Sequence, residues 1–184
     1  MSYDFFKQSR LHIFLLFTVM LLGLTGFGAE KKAKYVFMFI GDGMGPLQVQ
    51  AAQEAADWSL CMLAMPVQGF QHTGREDGRV TDSAASGTAL ACGVKTSNGF
   101  LGMTSEKKGI ESIADKAKNK GMRVGILSNV SLDHATPASY YAHVPSRQQY
   151  DDITDQMAAS KIDFFGGGGL SSDRGNGRYK GKAF

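Results

Sequence analysis

Cysteine is scarce: Cys61 and Cys92 are the only two in 184 residues, and neither has the spacing of a metal-ligand pair. One disulfide between them is compatible with the sequence. So is a buried free thiol at Cys92, which lies in an apolar, helix-like run. Charge of one sign is also lacking. The formal net charge is only +3, and no lysine or arginine cluster is interleaved with aromatics, which argues against a nucleic-acid partner. Histidine is rare, with His12, His72, His134 and His143 making up the full set. There is no internal repeat and no low-complexity linker to divide the chain. With 43% hydrophobic and 20% charged residues, the composition is that of a globular protein of one domain.

The longest apolar run, LHIFLLFTVMLL, is too short for a membrane span, which needs about 20 residues. Lys7 and Arg10 precede it and the small residues of TGFGA follow it, the three-part layout of a secretory signal peptide over residues 1–29. Residues 30–184 are then the mature domain, exported to a periplasmic or extracellular compartment. Membrane attachment enters only if the N-terminal segment is retained as an anchor. No cysteine follows the run at which a lipid would be attached.

Four short apolar runs read as buried strands: KYVFMFI (34–40), PVQGFQH (66–72), MRVGILS (122–128) and KIDFF (161–165). Helical patterns lie between them. One starts at Pro46, a second covers Ser83 to Cys92 and stops at Gly93, and a third covers Ile110 to Lys120. In the third, Ile113, Ala114 and Ala117 share one side opposite lysines. A fourth is DDITDQMAAS (151–160). Strands alternating with helices predict an α/β fold, a three-layer sandwich around a mainly parallel sheet. The segment after Gly169 is polar and glycine-rich, and reads as the opening of a surface excursion.

Ligands gather at the carboxyl ends of strands in such sheets. Asp42 falls there after the first strand, Ser83 after the second, and Asp133, His134 and Thr136 after the third. In GDGMG, the acid between glycines suits a metal better than a pyrophosphate, and the alternative is a plain turn. Asp82 and Ser83 open a helix, so either can be an ordinary N-cap. The same helix start presents free N–H groups to a phosphate, and a serine there is a potential nucleophile. Arg147, otherwise a surface charge, has the planar fork that grips two phosphate oxygens. His72 and His143 lack spacing partners and read as structural.

Three motifs in this order, FIGDGMG (39–45), VTDSAASGTALACGVKTSNG (80–99) and DHATPASYYAHV (133–144), resemble the alkaline phosphatase family. The resemblance implies hydrolysis of small phosphate monoesters through a phosphoserine at Ser83, with two zinc ions and one magnesium. It implies that Asp42 bridges one zinc and the magnesium, that Ser83 faces a zinc, and that Thr136 and His134 belong to the magnesium site. Arg147 would hold phosphate oxygens, Asp82 would orient Arg147, and the protein would be a homodimer. Family members draw further Asp, His and Glu ligands from beyond this length, so the chain is expected to be an incomplete, N-terminal part of the catalytic domain. The alternative is a phosphate- or metal-binding domain without turnover. A phosphodiesterase or sulfatase of the wider superfamily is disfavoured by TDSAASGTA.

Overall fold

The structure is a computed structural model that describes residues 33–171. The signal-peptide expectation for residues 1–29 and the polar tail after Ser171 lie outside the described residues. The chain divides after Gly43 into two compact units.

In the first unit, residues 34–40 form no regular element, and Phe39 is 88% exposed. Asp42 and Gly43 make a turn, with Gly43 in the left-handed region at φ 68°.

The second unit begins with α1 (Pro46–Ala55), whose proline occupies the first turn, where its missing N–H leaves no bond unmade. A 3₁₀ turn at Cys61–Ala64 follows. Next is α2 (Ser83–Cys92). Asp82 caps it by accepting from the Ala85 N–H at 2.9 Å, and Gly93 ends it at φ 75°, returning its N–H to the Ala89 carbonyl. Helix α3 (Ile113–Asn119) has a capping box: Ser112 Oγ accepts from the Asp115 N–H and the Asp115 carboxylate accepts from the Ser112 N–H. Strand β1 (Gly125–Leu127), the short α4 (Ala135–Ala138), α5 (Tyr150–Ala159) and strand β2 (Phe164–Gly166) complete the order.

β1 and β2 pair in parallel, Gly125 opposite Phe164 and Leu127 opposite Gly166. Parallel pairing requires a crossover, and α4 and α5 supply it. The glycine run after β2 has a steric cause. A Cβ on Gly167 would lie 2.8 Å from the Ser128 carbonyl, and one on Gly168 would lie 3.1 Å from that of Val130. Beneath the sheet, Leu101, Leu132, Tyr141, Ile153 and Met157 form the core. Tyr141 meets Phe165 edge to face at 5.4 Å, and its hydroxyl donates to the Leu132 carbonyl at 2.6 Å.

Two expectations are corrected. Neither 34–40 nor 66–72 is a strand, and Val67 and Phe70 are exposed. An apolar run has the composition for a sheet interior, but becomes a strand only where a neighbour takes its backbone groups. Among the described residues the sheet has two strands. Ile113 is exposed while Ala114 is buried, because the helix begins at Ile113 and turns about 100° per residue. No disulfide joins the cysteines, which are both free thiols. Cys92 donates weakly to the Ile110 carbonyl, and burial pushes its thiol up to about 11. Among the described residues, no helix is long and apolar enough to cross a membrane.

Candidate active site

Ser83 is the first residue of α2, half-buried, directly after the capping Asp82. The Asp82 carboxylate uses both oxygens. Oδ1 takes the Ala85 N–H, while Oδ2 takes the Gly99 N–H at 3.1 Å and Nη1 of Arg147 at 3.3 Å. The Arg147–Asp82 pair is only about a quarter exposed on each side, so water screens it less than a surface pair. Arg147 Nη2 lies 3.4 Å from Nε2 of His134, the residue that precedes α4. A guanidinium can only donate, so Nε2 is the atom placed to accept from Arg147. The other ring nitrogen, Nδ1, is buried with no hydrogen-bond partner.

The start of α2 and the start of α4 are therefore joined through one arginine. The helices also approach closely: a Cβ on Gly87 of α2 would lie 2.6 Å from Ser139 Oγ and 3.6 Å from Thr136 Cα. Asp82, Ser83, His134, Thr136 and Arg147 all belong to the second unit, whereas Asp42 lies in the first. Asp133 is not a site group. It is fully buried and accepts from the Ser171 N–H and the Thr154 hydroxyl. His143 is structural, with Nε2 against the Ile110 carbonyl, and His72 meets Lys95 on the surface.

Sequence reading missed Asn98 and Gly99. Asn98 Oδ1 accepts from the Asp82 N–H at 3.0 Å, and the Gly99 carbonyl accepts from the Arg147 N–H at 2.7 Å. The available signal was the Asn-Gly dipeptide, a turn former inside the longest motif.

As arranged, Nε2 of His134 faces Arg147. Among the described residues, no three His, Cys, Asp or Glu side chains lie close enough to hold an ion. Zinc takes three or four protein ligands, so this arrangement does not fit a zinc pair.

An arginine–carboxylate pair beside a serine at a helix start, on a parallel α/β scaffold, defines a class of site suited to a tetrahedral oxyanion. The family is narrower. Residues 33–168 match the model described as alkaline phosphatase, and the chain belongs to that family. It is 35% identical over 174 residues to the alkaline phosphatase of Escherichia coli strain K12, covering 78% of this chain and 37% of that protein. The structure resembles the alkaline phosphatase of the Antarctic bacterium TAB5 with a TM-score of 0.65 at 32% identity, over 67% of this chain and 36% of that one. A mutant of the TAB5 enzyme with magnesium bound in its M3 site gives a TM-score of 0.63 at 30% identity, over 66% and 35% of the two chains. The chain thus spans about a third of the length of these relatives.

Proposed function

We propose that the site serves hydrolysis of small phosphate monoesters, with Ser83 as nucleophile and a phosphoserine as intermediate. The observation that carries this reading is the Asp82–Arg147 pair at the start of α2. Arg147 offers its fork to two phosphate oxygens while Asp82 fixes its direction. The positive end of the α2 dipole adds favourable potential where the phosphoryl group would rest. Ser83 Oγ then attacks phosphorus, the ester P–O bond breaks, and the alcohol leaves with a proton. Water cleaves the phosphoserine in a second displacement and releases inorganic phosphate.

Metal dependence, with two zinc ions and one magnesium, is taken into this reading from the family, since the described residues alone do not assemble a zinc pair's ligands. It is supported by the family and by the magnesium in the TAB5 mutant. The family resemblance assigns Asp42, Ser83, His134 and Thr136 to the metals. Export through residues 1–29 and a homodimeric state complete the proposal. Sequencing the N-terminus of the exported protein and measuring its mass in solution test them.

A second reading has its own support. The described residues assemble no three-ligand metal group, which fits a domain that binds phosphate without turnover. Incubating the full chain with an aryl phosphate, zinc and magnesium at alkaline pH, followed by acid quench, separates the two. Phosphate trapped on the chain and lost in Ser83→Ala supports the nucleophile. Label that persists in Ser83→Ala refutes it, and saturable phosphate binding without label selects the second reading.

A further inference from the structure

Asn98 and Gly99 lie between the two groups that the proposed chemistry must keep in register. The Asn98 side chain accepts from the Asp82 N–H and donates from Nδ2 to the Val80 carbonyl at 3.2 Å. Those are the two backbone groups, either side of Thr81, that a neighbouring parallel strand would engage. One amide side chain thus does the work of a strand peptide on the segment that leads into Ser83. The next residue turns to the other partners. The Gly99 N–H donates to Asp82 Oδ2, and its carbonyl accepts from the Arg147 N–H. Its φ of 86° permits this, and a Cβ would meet nothing within 4 Å, so glycine serves the backbone angle rather than space. Behind it, Leu101 exchanges both backbone bonds with Val144, and the Thr88 hydroxyl of α2 donates to the Phe100 carbonyl. The segment 98–101 is therefore tied to the helix that carries Ser83 and to the strand-like stretch that leads to Arg147.

We propose that Asn98 is a positioning residue that sets Asp82 and Ser83 against Arg147. The inference rests on reading those three residues as a phosphate site. Asn98 itself is exposed, so its truncation removes hydrogen bonds and no core packing.

The test compares the full chain with Asn98→Ala, using residue-resolved amide hydrogen exchange and the ¹⁵N signal of the Arg147 side chain. Inorganic phosphate is the probe. Two lost hydrogen bonds of ordinary strength predict about tenfold faster exchange at Asp82, carried on to Gly99 and Arg147, and about tenfold weaker phosphate binding. The Lys116 amide in α3 should not change. Faster exchange confined to Asp82, with the Arg147 amide and side-chain signal unmoved, would overturn the proposal. If Asn98→Ala loses protection at Lys116, Asn98→Asp takes its place. It keeps an oxygen for the Asp82 N–H, loses the donor to Val80 and adds a negative charge, so it must speed exchange at Gly99 and the Arg147 amide and not only shift the Arg147 side chain. If phosphate leaves the Arg147 signals of the unaltered chain unmoved, the phosphate reading fails, and the exchange comparison still decides the role of Asn98.

Discussion

Replacing Asp82 by Asn is the sharpest perturbation of the site, because it keeps the shape and removes one acceptor. The native carboxylate accepts from Ala85 with Oδ1, and from Gly99 and Arg147 with Oδ2. An asparagine has one oxygen. With it turned to the cap, the amide donors confront the Gly99 N–H and the guanidinium. With it turned the other way, they confront the Ala85 N–H. Asn is as good a cap as Asp, so the first orientation is expected to win. The loss is then one charge-assisted hydrogen bond and one partly screened ion pair, together about 2 kcal/mol. Asp82→Ala also loses the cap, for about 1 kcal/mol more. Urea unfolding measures both, and amide exchange locates them: Ala85 stays protected in Asp82→Asn while Gly99 speeds up. Equal stability of the unaltered chain and Asp82→Asn, with Gly99 exchange unchanged, would refute the shared-acceptor reasoning.

Ile153 is completely buried in the core, and Ile153→Ala should lower unfolding free energy by about 2–5 kcal/mol, read by urea titration. Alkylation at pH 8 should modify exposed Cys61 rapidly and half-buried Cys92 far more slowly, since burial pushes the Cys92 thiol up to about 11; equal rates would contradict this. Asp77 is held down to about 2, chiefly by its hydrogen bond with Arg75. Its depressed value contributes stability above the ordinary carboxylate range that fades as pH falls through about 2. Carboxyl ¹³C titration should therefore show a higher midpoint in Arg75→Gln.

Local chemistry was legible where a residue acts on its near neighbours. The helix from Ser83 to Cys92 could be bounded because Asp82 and Gly93 are a cap and a stop that need only adjacent backbone. The start of α3 was missed: the pattern placed it at Ile110, whereas the Ser112–Asp115 capping box opens the helix at Ile113. Strands were different. KYVFMFI and MRVGILS look alike as apolar runs, yet only the second finds a partner among the described residues, at Phe164–Gly166. Pairing depends on what lies tens of residues away, which a run of valine and phenylalanine does not encode. The site divided along the same line. Asp82, Ser83 and Arg147 were nameable from residue type and motif. Asn98 and Gly99 were not, because their contribution is a set of backbone bonds to Val80, Asp82 and Arg147.

The small residues of α2 also take on a definite role. A helix reading SAASGTALAC has little side-chain volume with which to fill a core, and five of its ten residues are buried nonetheless. Small volume lets the helix axis come close to its neighbour. Gly87 faces Ser139 and Thr136, so nearly bare backbone from α2 meets α4 there. Ser83 is one turn upstream of Gly87, and His134 directly precedes α4. The spacing between the two helices therefore fixes how far the proposed nucleophile lies from the ring that touches Arg147. A larger residue at position 87 would act on the site without touching it, by widening that spacing. The same glycine and alanine pattern that reads as a featureless buried helix is thus what lets one arginine reach both Asp82 and His134.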